Sequence, residues 1–461
     1  MFIIKETNGT KGVVFEKWYL DYESGKKQLI KKVEIWSVEV TYDRYQYMYL
    51  YDSNRKVLSE VFEYLNFGIG EQSENTRGRA LAALKSFFSF MELYNLDYKN
   101  LTISDISKLK DFLYGRGRRG AEITLELSTS RGADTVNLYV GVYRKFFENM
   151  GIKNSVLSRK STAAKFKQDT GLLGHSKKMI VEKYKDSEKS QQENRKVPMY
   201  IKVDEFARIL KTVRERFSLR EEIIIRLMFE CGLRIGEVLG LTIEDIVTST
   251  ADTLVGSSDG LGEIIIRNRL SDKKYQLAKN CLVPKDTNKD SLSAYETEGV
   301  GFHNINPTLL LIQKIDEYIE TAHGTMSGTN RNNYLKYAKA DKLTLGKDLE
   351  TEDNYYIFLN KNGTRLSKSG WNKILRKIFL YSGLKIDKER RKHNLNHRFR
   401  HGFAMFLKKY LNKSALDLMY ALRHSSLSSV ACYFRPDDDD LFEANTKAAL
   451  SLYKVVPELM D

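Results

Sequence analysis

Hydrophobic and polar positions change their period along this chain. Over the first fifty or so residues, Val13-Val14-Phe15, the run from Val33 to Val40 and the tyrosine-rich stretch to Tyr51 alternate in part and use β-favouring residues. That predicts a small β-rich segment over 1–55. From about Asn75 the period is helical. Leu81, Leu84, Phe88 and Met91 recur at i, i+3, i+7 and i+10, with Arg77, Arg79 and Lys85 elsewhere on the cylinder. Ser104 is placed to cap a second helix that turns Ile106, Leu109, Phe112 and Leu113 inward. A third helix starts near Asp134, buries Val136, Leu138, Val142, Tyr143, Phe146 and Phe147, and stops at Gly151. Residues 56–152 thus read as an all-helical domain.

The next stretch loses this pattern. Residues 151–200 hold twelve Lys/Arg against five Asp/Glu and few large apolar side chains, which predicts a solvated basic linker over 153–197. Regular structure resumes at Pro198 and defines a last domain, 198–461. Its elements are an apolar helix at Ile223–Phe229, a short strand at Glu263–Ile266 and a helix at Leu309–Ile319. A strand at Ile357–Asn360 then enters a turn at Asn362-Gly363, followed by helices at Trp371–Ser382, Asn396–Tyr410 and Ser414–Leu422. The acidic run Asp437–Asp440 suits the N-terminus of a final helix. The fold class is mainly α with small β-sheets (α+β).

Composition narrows the function classes. A chain of 461 residues exceeds one ordinary core, and 42% hydrophobic with 29% charged residues is a soluble, globular balance. No apolar run of about 18 residues predicts a membrane span, and Met1–Glu6 does not open a secretion signal. Cys231, Cys281 and Cys432 are odd in number and far apart, which suits small hydrophobes in a reducing compartment, hence a cytoplasmic, nucleoid-associated protein. The net charge of +15 suits a polyanionic partner. Without a basic amphipathic helix or lipidation signal, nucleic acid is favoured over a membrane surface.

Four local patterns carry chemistry. In Glu230-Cys231-Gly232-Leu233-Arg234-Ile235-Gly236-Glu237, one helix stops at Gly232 and another begins near Ile235, so Arg234 projects from a junction with Glu237 one turn on. In Leu395 to Ala404, His397 and Arg400 lie three apart and share a helical face. Leu422-Arg423-His424-Ser425-Ser426 follows, and Tyr433 stands nine residues after His424. Two arginines, two histidines and a tyrosine suit displacement at a phosphodiester. Bidentate arginines and a histidine donor clamp the non-bridging oxygens, and a phenol becomes nucleophilic once its proton is drawn off.

Together these segments resemble the tyrosine recombinases, the phage-type integrases and resolvases of phages, transposons and chromosomes. Gly232–Glu237 looks like their first box, His397–Ala404 their second and Leu422–Tyr433 their third, in order over roughly 200–435. The resemblance implies that Tyr433 attacks the scissile phosphate, leaving a 3′-phosphotyrosyl enzyme and a free 5′-hydroxyl. It further implies that Arg234 and Arg400 grip the phosphate with His424, and that His397 is a proton acceptor or phosphate ligand. A hairpin lysine protonates the leaving oxygen in that family. Lys279 is the choice here, with Lys273, Lys274 and Lys285 as rivals. Neither ATP, metal nor other cofactor is required. The implied partners are double-stranded DNA, further copies in a homo-tetramer exchanging the tail around Leu441-Phe442 and Leu450, and an accessory directionality factor. Arg423 departs from the family's usual Gly, and Gly402 from its frequent Thr.

Other readings of the same residues are weighed against this one. His393, His397 and His401 at i, i+4, i+8 invite a zinc reading, but no Cys or carboxylate completes the pattern, and surface or phosphate contacts are preferred. Tyr381, Tyr410 and Tyr420 read as helix residues rather than nucleophiles. A non-cutting DNA-binding regulator, and a type IB topoisomerase-like activity, are the alternatives in function.

Overall fold

The computed structural model describes the chain apart from residues 10–11, 43–44, 118–122, 153–155, 168–176, 185–196, 248–259, 269–275, 277, 280, 282–301, 339–355, 387–394, 437 and 461. It divides into two compact units, Met1–Gln192 and Glu193–Asp461.

The first unit begins as a sheet. Strands β1 (Phe2–Asn8), β2 (Val13–Leu20) and β3 (Lys27–Val33) pair antiparallel in sequence order. A later strand, β6 (Ile123–Glu126), joins the free edge of β1 in parallel, Ile3 opposite Thr124. Between them β4 (Trp36–Tyr42) and β5 (Tyr45–Tyr51) form a separate antiparallel hairpin. These strands share their core with the helices. Ile4, Val33, Ile35, Met48 and Leu50 pack in one cluster with Phe87, Phe90, Phe112, Tyr143 and Phe146. Those aromatics come from α2 (Glu74–Tyr94), α3 (Ile103–Tyr114) and α4 (Ala133–Asn149), which follow the short α1 (Ser59–Glu63). The β-rich segment read at the start of the chain thus gives Ile4, Val33, Ile35, Met48 and Leu50 to the helical core, while Leu29, Ile30, Val38 and Val40 stay exposed.

Three local expectations shift. The cap of α3 is Thr102, not Ser104: its hydroxyl accepts from Asp105 N, and the Asp105 carboxylate accepts from Thr102 N. Leu138 faces outward, and Val140 takes its place in the core. Arg77 is buried, at 2% exposure. Its guanidinium donates to Leu65 O, Gln46 O and Asn66 Oδ1 and stacks on Tyr45, so every hydrogen bond it makes there replaces one to water. Gly151 ends α4 as expected, in the left-handed region at φ 66°.

The basic stretch read as linker contains a hairpin, β7 (Lys160–Lys167) paired with β8 (Lys177–Tyr184). Arg144 of α4 stacks on Tyr184 at 3.8 Å, which ties this hairpin to the helices, and Lys160 pairs with Glu182 across its two strands. A count of charges conceals such a strand because a two-stranded ribbon exposes both faces.

The second unit is built on α5 (Val203–Arg216) and α6 (Leu219–Glu230), the latter with Ile223 to Phe229 wholly buried. Then come α7 (Ile235–Leu239), a three-stranded sheet in the order β11 (His303–Ile305), β10 (Glu263–Ile266), β9 (Ile246–Val247), and α8 (Leu309–Gly324) with α9 (Gly328–Ala338). The strand expected at Ile357–Asn360 reduces to isolated bridges flanking a turn at Gly363. Helices α10 (Lys368–Tyr381), α11 (Leu395–Lys409), α12 (Ala415–Ala421) and α13 (Asp438–Val455) follow. Gly402, where the resembled family often has Thr, has no room for more. A Cβ there would meet Ile201 O and the Phe229 ring, each at 2.6 Å. Among the described residues no helix is long and apolar enough to cross a membrane.

Candidate active site

Helix α6 ends at Cys231, and Gly232 turns the chain in the left-handed region at φ 59°, where a Cβ would strike the Phe403 ring. The chain then re-enters helix with Arg234 as the residue preceding α7. Glu237 holds it twice: Oε2 accepts from Arg234 N at 2.8 Å, and Oε1 from the guanidinium at 2.7 Å. The junction expected from the sequence therefore fixes both the backbone and the side chain of Arg234.

Arg400 and Arg423 stitch this turn to the one after α12. Arg400, on α11, donates to Gly232 O and to Leu422 O. Arg423 donates to Gly232 O, to Cys231 O and to Glu237 Oε2 at 3.4 Å. It stands at φ 51°, where the resembled family uses glycine. A side chain there costs about 1–2 kcal/mol of backbone strain, which its bonds to the buried Glu237 and the two carbonyls offset.

Three guanidinium groups thus surround one carboxylate. Burial pushes Glu237 up, but Arg423, Arg234 and Arg400 outweigh it and hold the carboxyl below its ordinary range. Burial, with Arg234 and Arg423 alongside, draws the Arg400 guanidinium down to about 9. Arginine does not surrender its proton at neutral pH, so the shift registers burial first and crowded positive charge second. Three positive charges less one leave +2, which an anion would relieve.

Tyr433 sits in a 3₁₀ turn, Ala431–Phe434, at 2% exposure among Ala404, Met405, Leu418, Leu422 and Val430. Its hydroxyl is 2.7 Å from His401 Nδ1. Burial pushes its pKa well above the ordinary phenol value, Cys432 adds to this, and Arg400 and Arg234 pull the other way. His397 stacks on His401, ring centroids 5.8 Å apart, and is lowered by burial and by Arg400 and Arg234. His424 is drawn down to about 4 by burial, then by Arg400, Arg234, Lys279 and Arg423, and its Nδ1 is buried without a hydrogen-bond partner.

Lys279 therefore lies within electrostatic reach of His424. Asn268 positions it: Nδ2 donates to Ala278 O and Oδ1 accepts from Ala278 N, both at 2.8 Å. The neighbouring Gln276 donates to Asp245, which also accepts from Arg267 and Thr242. Lys273, Lys274 and Lys285 lie outside the described residues, as does His393 of the histidine repeat. Among the described residues no group of three or more His, Cys, Asp or Glu is arranged to hold a metal.

The structure thus joins Arg234 and Glu237 by direct bonds, ties Arg400 to the same turn through Gly232 O, sets His397 and His424 in the field of the two arginines and brings Lys279 within reach of His424. It adds two residues that the sequence left aside. His401 had a signal, its i+4 spacing from His397, but the same spacing serves a surface face. Arg423 had none, because only the backbone places its side chain on Glu237.

The model of the Phage integrase family matches residues 199–440, more than half the chain. The chain belongs to that family, the tyrosine recombinases whose three boxes it carries. It is similar to Transposase A from transposon Tn554 of Staphylococcus aureus, 26% identical over 227 residues. That match spans 47% of this chain and 59% of the transposase, so the chain spans about three fifths of the curated relative. Among solved structures it is similar to XerH site-specific recombinase bound to palindromic difH substrate (16% identity, TM-score 0.48, 81% of this chain and 79% of that one). It is also similar to the Tn1549 transposon integrase in complex with transposon right end DNA (14%, 0.45, 84% and 98%).

Proposed function

We propose that this protein recombines double-stranded DNA at specific sites, cutting and rejoining it through a 3′-phosphotyrosine at Tyr433. The observation that carries this is the +2 cluster of Arg234, Arg400, Arg423 and Glu237 beside a buried, hydrogen-bonded phenol. A phosphodiester brings one negative charge, and its pentacoordinate transition state carries a second on the non-bridging oxygens. Fixed charge of this size and sign binds the transition state better than the ground state.

In the reaction the Tyr433 oxygen bonds to phosphorus while the bond from phosphorus to the 5′-oxygen breaks. Arg234 and Arg400 hold the non-bridging oxygens with His424 as a further donor, and His397 serves as phosphate ligand or proton acceptor. Lys279 gives a proton to the departing 5′-oxygen. The phosphotyrosine conserves the bond energy, so resealing needs no ATP. Helix α13 leaves Phe442 75% and Val455 78% exposed while Lys408 and Lys409 hold its start through Asp440. A neighbouring copy in a tetramer on DNA is the proposed cover.

Covalent capture tests this. The full chain is incubated in EDTA with randomly nicked fragments of the genome that encodes it. Protein–DNA adducts are then isolated under denaturing conditions and digested. A nucleotide remnant mapped by mass spectrometry to Tyr433 is the expected result, and sequencing of the captured DNA returns the site. DNA binding with no adduct would sink the proposal and leave a non-cutting regulator.

The captured duplex also tests the support of Lys279. Asn268→Ala is expected to slow cleavage about tenfold to a hundredfold, the penalty of a slightly misplaced catalytic group. With sulfur replacing the 5′-bridging oxygen the leaving group needs no proton, and the variant should match the wild type. A defect that persists with sulfur would show that Asn268 does not act through Lys279.

A further inference from the structure

We infer that His401, rather than His397, takes the phenolic proton as Tyr433 attacks. This deepens the phosphotyrosine chemistry proposed above by naming its base. The geometry is direct: Nδ1 lies 2.7 Å from the hydroxyl, within reach for proton transfer. The phenol is enclosed by Ala404, Met405, Leu418, Leu422 and Val430, which leaves bulk water a poor acceptor. The contact that His397 makes with this pair is a ring stack on His401, 27° from parallel. Helix α11 thus presents adjacent residues with separate tasks: Arg400 joins the anion clamp and His401 meets the nucleophile.

The surroundings explain how the pair stays idle until DNA arrives. His397 and Arg400 face His401 from its own helix, His424 from the turn after α12, and Tyr433 from the 3₁₀ turn. Burial first, then His397, Arg400 and His424, hold His401 down at about 3, so its imidazole is neutral. A scissile phosphate against Arg400 offsets its positive charge and raises the basicity of His401. As the bond from Tyr433 oxygen to phosphorus forms and the bond to the 5′-oxygen breaks, the phenolic proton moves to His401 Nδ1. The 5′-oxygen leaves with the proton of Lys279. Resealing runs the same transfers backward.

The test compares His401→Asn and His401→Ala with the wild type in single-turnover cleavage of the captured duplex. Asparagine keeps a hydrogen bond to the phenol but takes no proton. Both variants are expected to bind the duplex and to cleave it about a hundredfold or more slowly, the usual share of general-base catalysis. Added imidazole should restore His401→Ala and not His401→Asn, and a 5′-bridging sulfur should restore neither. Cleavage by His401→Asn within about threefold of wild type would overturn the inference. So would imidazole rescue of His397→Ala without rescue of His401→Ala. In both cases the wild-type adduct still forms, whereas failure of the phosphotyrosine chemistry itself removes that adduct.

Discussion

Glu237→Gln is expected to destabilise the second unit by about 3–5 kcal/mol at pH 7, the cost of leaving buried charge without its partner. Glu237 is 4% exposed and is the carboxylate to which Arg234 and Arg423 both donate. Glutamine keeps the shape but leaves three guanidinium charges facing one another. The pH dependence follows from the sign of the shift. The folded state holds the Glu237 carboxyl below its ordinary range, so the unfolded chain binds the proton first. Its stabilisation is therefore complete above the unfolded value, about 4.3, and is lost as pH falls through the lower folded value. Urea unfolding of the full chain should show wild type and variant far apart at pH 7 and converging in acid. Inorganic phosphate should stabilise the variant more than the wild type, since the cluster then carries +3 instead of +2. Equal stability at pH 7, or a gap that stays constant into acid, would show that the carboxylate does not neutralise this cluster.

The same cluster shows which features a sequence carries. Arg234, Arg400, His424 and Tyr433 were legible because turns and helix ends fix their spacing, and the family's three boxes preserve it. Glu237 was legible for the same reason, one turn beyond Arg234 at the junction that Gly232 opens. Arg423 was not. Its position reads as a helix stop that usually takes glycine, and its role depends on a carbonyl and a carboxylate that lie nearly two hundred residues away in sequence. Arg77 escaped for a related reason. Helical periodicity assigns a charged residue to the solvent face, yet three acceptors and the Tyr45 ring compensate it inside the first core. The β-rich start was legible as strands, but not as part of a helical core, because alternation tells which side is buried and not against what.

Arg400→Lys preserves the charge and removes the fork, and it is expected to lower cleavage of the captured duplex about a hundredfold to a thousandfold. Five N–H donors in a plane allow Arg400 to bond Gly232 O and Leu422 O and still offer donors to an anion. An ammonium has three donors on a flexible stem and cannot span two turns and a phosphate together. Gly232 O keeps its bond from Arg423, but the buried Leu422 O loses its guanidinium donor, so a stability loss of about 1–3 kcal/mol should accompany the change. DNA binding responds differently, because counterion release counts charges and not their geometry. The dependence of affinity on salt should therefore match the wild type while the chemical step collapses. Cleavage within about tenfold of wild type would mean that Arg400 acts as a point charge that holds the turns, with the non-bridging oxygens gripped elsewhere. A reduced salt slope with unchanged cleavage would instead place Arg400 among the groups that bind the duplex, outside the reacting centre.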